Sequence, residues 1–161
     1  MKLRLTLCCI AVVALAIAFL VWPSERYNPS KDSALQEVIT TSSRSAELLS
    51  LMESTPKEQQ REMAFLLKNM PDFDREAMDI ALLKENVEYA NIARTKYSWA
   101  KAVPEDVYLH EVLPYHVVDE VRDSWRKELY ELFAPEVENC KTMYDAVCAV
   151  NANIPRLTGV D

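Results

Sequence analysis

The sequence predicts an all-α protein, and three observations lead to that prediction. The chain of 161 residues contains a single glycine, Gly159, whereas tight β-hairpin turns depend on glycine for positive φ. No segment shows the sustained period-two alternation of a half-buried strand. Apolar residues recur instead at helical spacing between prolines and capping residues. We therefore expect a body of five or six helices that follows an N-terminal membrane segment.

The first 22 residues are typical of a signal-anchor. Lys2 and Arg4 precede an apolar run over residues 5–22, which is about the length that a helix needs to cross the hydrocarbon core. Positive charge before such a run favours a cytoplasmic N-terminus. We expect residues 5–22 to hold the protein in the inner membrane, with its body facing the periplasm or the exterior.

Two alternatives for this segment stay open. A cleaved signal peptide would use the small residues at Ala14 and Ala16, or at Ala16 and Ala18, and would leave a secreted body. A lipidated N-terminus would use Cys8 or Cys9, although Cys8 is not preceded by a small residue. The simpler interpretation of the two cysteines is that they are apolar residues of the anchor.

Composition excludes several classes of function. The chain carries 18 basic and 25 acidic residues, a formal charge of −7. Without Lys2 and Arg4, 16 basic residues face 25 acidic ones, so the rest of the chain carries −9. An acidic body without a basic stripe repels phosphate backbones, which argues against nucleic-acid binding. Glycine scarcity excludes a P-loop or a dinucleotide fingerprint, and we expect no cofactor.

Beyond a polar linker at 23–32, residues 33–161 are predicted to form one helical domain. Apolar spacing over 33–53 predicts one helix, or two interrupted at residues 40–43. Thr55, Pro56 and Glu58 form a start signal for the next helix, which Pro71 ends near Asn69.

Further helices follow in the C-terminal half. Asp74 is predicted to cap a long helix that extends to Tyr97, and Pro104 to open a short helix that Pro114 closes. The clearest apolar face spans Asp119–Phe133, before Pro135, and a last helix is expected from about Thr142 to Asn153. The apolar positions of these last two helices are Val121, Trp125, Leu129, Leu132, Phe133, Met143, Val147, Val150 and Ile154.

The cysteines and histidines of the body are weak candidates for a site. We expect Cys140 and Cys148 to be structural. The alternatives are a disulfide, or a small enzyme in which one of these thiols pairs with His110 or His116. The fourth residue after His110 is Pro114 rather than a second histidine, so no helical zinc motif forms. We expect no metal site.

Aromatic residues surround the loop at 113–118. We expect them to belong to the core, with an aromatic wall for a peptide or glycan as the alternative. Glu120 and Arg126 lie near the same loop and are expected to tie its backbone through charged hydrogen bonds. The aromatic residues are Trp99, Tyr115 and Trp125.

Several separated segments of the chain follow one another in a recognisable order. They are Ala64–Pro71, Glu85, Asn86, Trp99, Ala100, Leu113, Pro114, Tyr115, Glu120, Trp125 and Arg126. This series resembles the helical lead-in of bacterial transglutaminase-like proteins, which share the papain-like cysteine peptidase fold. The densest part of the resemblance runs from Trp99 to Arg126, and the sequence departs from the family pattern at His116, where arginine is usual.

The resemblance implies an extracytoplasmic scaffold for a catalytic α+β domain with Cys-His-Asp chemistry, which this sequence does not contain. That domain would follow in a longer protein or belong to a separate chain. No catalytic residue of the family falls on this sequence, so its status as an enzyme is undecided. The alternative is a complete, anchored, non-catalytic helical interaction module.

Overall fold

The computed structural model describes residues 27–114 and 123–159, and this part of the chain is helical throughout, without a β-strand. It begins with a 3-10 turn over Pro29–Lys31, and the short helix Glu105–Val107 continues into a π-helical turn over Tyr108–Val112. The all-α prediction is confirmed, and six of the α-helices have nine residues or more. The α-helices are α1 Ser33–Thr41, α2 Ser45–Ser54, α3 Gln60–Asn69, α4 Asp72–Ala77, α5 Ile80–Lys96, α6 Ser98–Lys101, α7 Glu105–Val107, α8 Trp125–Val137 and α9 Met143–Thr158.

The predicted membrane segment at residues 5–22 lies outside the described residues. Among the helices that are described, none combines the length and the apolar character that a membrane span requires.

The interior is divided into two clusters of unequal size. The larger cluster joins α1, α2, α3 and α5 with Met78 and the π-helical segment. Its largest fully buried side chains are Leu35, Ile39, Leu48, Leu51, Met63, Leu67, Leu83, Val87 and Leu113. The smaller cluster has three buried residues, Tyr97, Val137 and Ala146, with partly buried neighbours from α6, α8 and α9. The N-terminal helices therefore form a closed core, and the C-terminal helices cover theirs only in part.

Side-chain caps begin several helices, but two predicted caps are wrong. Thr55 donates its hydroxyl back to the Leu51 carbonyl at 2.7 Å, so α3 begins only at Gln60. Asp74 is buried inside the short α4, and Asp79 caps the long α5 by accepting from the amide groups of Ala81 and Leu82. Asp74 and Asp79 both precede the same apolar face of α5, so the sequence alone could not show which of them caps that helix.

Proline predicted other boundaries correctly. The helix before Pro71 ends at Asn69, and the short helical segment between Pro104 and Pro114 is present. The interruption at residues 40–43 also separates two helices, α1 and α2.

The last two helices differ from the prediction. α8 begins at Trp125, after the non-helical Asp123 and Ser124, and residues 119–122 of the predicted helix lie outside the described residues. α8 continues through Pro135, and α9 continues through Pro155 to Thr158. Each proline removes one helical hydrogen bond, and both lie in the final turn, so only two or three helical residues follow the break. The apolar face of these helices is only partly covered, since Trp125 and Leu129 are about half exposed.

Replacing Leu67 by alanine is expected to lower the free energy of unfolding by about 2–5 kcal/mol, because it leaves a cavity in the larger cluster. Leu67 is fully buried, whereas Leu49 on α2 is 44% exposed and provides the control. Leu49→Ala should change stability by about 0.5 kcal/mol. Chemical denaturation of the full chain measures both, and equal losses would contradict the described core.

Candidate functional site

Arg126 joins α8 to the end of the π-helical turn and to α5. Its Nε donates to Asn86 Oδ1 at 2.9 Å. Its Nη2 donates to the carbonyl oxygens of Val112 at 2.8 Å, Leu113 at 3.0 Å and Pro114 at 3.2 Å. One guanidinium therefore satisfies the carbonyl groups that a helix leaves without partners where it ends.

Local sequence explains why these carbonyls need a partner. Pro114 lacks an N–H and prevents the helix from continuing, so the preceding carbonyls have no donor from a following turn. Gly159 is too distant in the sequence to provide a left-handed cap here. Burial lowers the pKa of the Arg126 guanidinium from its usual value, but arginine remains charged at any physiological pH.

The predicted tie between Arg126 and the loop backbone is confirmed at Leu113 and Pro114. Glu120, Tyr115 and His116, which were predicted to contribute to the same region, lie outside the described residues.

A second polar cluster, centred on Arg94, was not predicted. The Arg94 guanidinium lies 3.9 Å from the centre of the Tyr108 ring and pairs with Glu105. Glu62 approaches the same guanidinium at 4.0 Å, and Arg61 pairs with Glu105 at 3.2 Å. Two oxygens in this cluster, Glu62 Oε2 and Tyr108 Oη, are buried without a hydrogen-bond partner among the described residues.

Spacing along α5 was the signal that could have revealed this cluster. Asn86, Ala90 and Arg94 are four residues apart, so they lie on one face of the helix. That face meets α8 through the hydrogen bond between Asn86 and Arg126, and it meets the π-helical segment through the contact of Arg94 with the Tyr108 ring.

The Arg94 cluster shifts the pKa values of two acidic groups. Burial raises the pKa of the Glu62 carboxyl, and the neighbouring charge of Glu105 acts in the same direction, while Arg94 and Arg61 oppose both. Burial also raises the pKa of Tyr108 to about 12, with the Glu62 charge contributing. Both shifts follow from placing groups that prefer water inside the fold.

An open apolar groove of about 980 Å³ lies between α5, α6, the π-helical segment, α8 and α9. Its aromatic walls include Tyr97, Trp99, Tyr130 and Phe133, and Arg94 and Arg126 border it. The volume lies at the upper end of the range typical for ligand pockets. Trp99 Nε1 is buried there without a hydrogen-bond partner in residues 27–114 or 123–159.

The predicted aromatic set does not share one environment. Trp99 stacks on Tyr97 with ring centres 4.9 Å apart and packs against the smaller cluster. Trp125 opens α8 and is 50% exposed, so its predicted core position is wrong. The third member, Tyr115, lies outside the described residues.

In the described part of the chain, no hydrogen bond joins Cys140 or Cys148 to His110. Cys140 and Cys148 are free, so the alternative of a disulfide between them is absent from the structure. Cys140 packs against the smaller cluster, whereas the His110 ring contacts Phe65, with ring centres 4.8 Å apart. No group of three potential metal ligands occurs within the part of the chain that the structure describes.

No family model, no curated protein and no solved structure matches this chain.

Replacing Arg126 by lysine is expected to lower the free energy of unfolding by about 2–4 kcal/mol, because an ammonium group cannot reach the same set of acceptors. A double-mutant cycle with Asn86→Ala should show coupling of about 1 kcal/mol. Arg156→Lys is the matched control, since Arg156 is largely exposed and should matter by about 0.5 kcal/mol or less. Additive effects at positions 86 and 126 would contradict the described contact.

Replacing Glu62 by glutamine should alter the pH dependence of stability. Because the pKa of Glu62 is raised in the folded state, the contribution of this carboxyl to stability is complete below its ordinary pKa of 4.5. It is lost as the pH rises through the folded pKa. The variant should therefore gain stability relative to the parent between pH 4 and pH 8, as measured by denaturant unfolding. Glu58→Gln, at an exposed position before α3, is the control; the same trend there would refute the explanation.

Proposed function

We propose that this chain is the extracytoplasmic helical scaffold region of a transglutaminase-like or cysteine-peptidase-like protein, anchored in the membrane by residues 5–22. It would support a catalytic domain that carries the Cys-His-Asp residues. The observation that carries the proposal is the meeting of separated motif positions at the Arg126 guanidinium.

The resemblance depends on short segments that lie far apart in the sequence. Asn86 is 40 residues from Arg126, and Leu113 and Pro114 lie between them, yet all three supply acceptors to the same guanidinium. Incidental matches scattered over a helical domain would have no reason to contact one another. Their contact supports the interpretation of these positions as one structural motif.

The described residues also support a scaffold in preference to a catalyst. In the family, a thiolate attacks an amide carbonyl and forms a thioester, which requires a base within hydrogen-bonding reach of the thiol. Cys140 lies near the Glu136 carbonyl oxygen at 4.0 Å, and His110 packs against Phe65. The motif residues instead hold helix ends in place, as a support for another domain requires.

The first experiment is to sequence the coding DNA beyond the codon for Asp161, together with the neighbouring genes. We expect a domain with a cysteine, a histidine and an aspartate, either in the same reading frame or in an adjacent gene. When that domain is produced with this chain, the two should purify as one species. The unfolding midpoint should be higher than that of this chain alone.

Two results would contradict the proposed function. A stop codon with no such gene nearby would contradict the proposal and favour the non-catalytic interaction module. A Cys-His-Asp domain that neither associates with this chain nor raises its unfolding midpoint would also contradict it.

A further inference from the structure

The helix α9 is unusual because it has an apolar sequence without the burial that such a sequence normally brings. Residues 146–155 contain no charged side chain. Among the side chains of this helix whose burial is described, only Ala146 is buried, and α9 packs mainly against α8. The apolar face of a helix is normally covered by other parts of a protein. Its exposed side chains therefore indicate a surface that another molecule covers.

That surface continues from the groove onto the outside of the last two helices. We name this region the α8–α9 face, and its exposed apolar members are Trp125, Leu129, Met143, Tyr144, Val147 and Ile154. Met143 and Val147 also line the groove, so the groove is continuous with the α9 part of this face. A patch that extends well beyond a pocket suits a macromolecule better than a small ligand.

Charges around the patch restrict the kind of partner. The basic groups at the groove are already used, since Arg94 pairs with Glu105 and Arg126 binds helix carbonyls. Arg94 is thus neutralised by an acidic partner, and the Nε and Nη2 donors of Arg126 are occupied within the fold, so neither is free to bind an anionic headgroup. A lipid with a charged head would lose its hydration there without compensation.

The balance of charge on α8 favours a basic partner. This helix carries three carboxylates against two basic side chains, and Glu128 and Glu131 are exposed beside Leu129. Both basic side chains are engaged with α5, where Lys127 pairs with Glu85 and Arg126 binds Asn86. A second copy of this acidic chain would bring like charges together, whereas basic residues on a partner would be attracted.

We infer that the groove and the α8–α9 face receive an amphipathic helix of the catalytic domain, with an uncharged apolar face and basic flanks. The inference rests on the proposed function and names the surface that it uses. Helix-in-groove recognition places apolar side chains at three- and four-residue spacing into a concave site. Trp99 Nε1 would there donate its hydrogen bond to an acceptor on the incoming helix.

The test uses the full chain together with the Cys-His-Asp domain that the sequencing identifies. A photo-crosslinking amino acid replaces Val147, which is 52% exposed, or Leu49 on α2, which is 44% exposed and serves as control. Mass spectrometry should find position 147 joined to an apolar peptide of the domain with lysine or arginine nearby. Position 49 should give no such product.

A binding measurement supplies the second arm. Val147→Lys should weaken association with the domain by about tenfold or more, whereas Leu49→Lys should stay within about twofold. Glu128→Lys should also weaken association, and by less at high salt, because exposed charges are then screened.

The outcomes separate the two proposals. If no Cys-His-Asp domain binds this chain, the proposed function fails. If the domain binds but Val147→Lys has no effect, the inferred surface is wrong and the proposed function stands. Crosslinks from position 147 only to a second copy of this chain, or only to lipid, would also overturn the inferred surface.

Discussion

The contact on which the rest of this structure depends is between arginine side chains and the carbonyl groups at helix ends. Helices commonly end in a glycine that turns the chain and satisfies these carbonyls, but only Gly159 is available for this. Arg75 instead donates to the carbonyls of Leu67 and Met70 after α3, and Arg44 donates to those of Arg75, Glu76 and Met78 after α4. Arg126 does the same after the π-helical turn. Hydrogen bonds from charged donors contribute about 1.5–3 kcal/mol each.

These contacts also explain how the two interior clusters are joined. Arg126 belongs to α8, but its acceptors lie on α5 and on the segment that buries Leu113 in the larger cluster. The larger cluster is closed and accounts for a stable fold. The smaller one has three buried residues and an open groove beside it. The closed core and the open groove thus lie in different parts of the fold.

Sequence reasoning succeeded where one residue type restricts the backbone by itself. Pro71 and Pro114 exclude helical continuation, so the helix ends before them were predictable. It failed where two residues compete for one role, as Asp74 and Asp79 do before α5. It also failed for burial along α8, because periodicity shows which side chains share a face but not whether a neighbouring element covers that face. The Arg94 cluster was missed since its members come from three separate segments.

By itself the sequence determined the helical class, several helix boundaries and the tie of Arg126 to the loop before it. Those features depend on the lack of glycine, on the backbone restriction that proline imposes, and on a guanidinium that can bind the carbonyls left free before Pro114. Only the tertiary structure decided that Asn86 shares the Arg126 guanidinium, that Trp125 is exposed and that α9 is left largely uncovered. Those features depend on which elements pack together, because the free energy of burial is set by neighbours from distant parts of the chain.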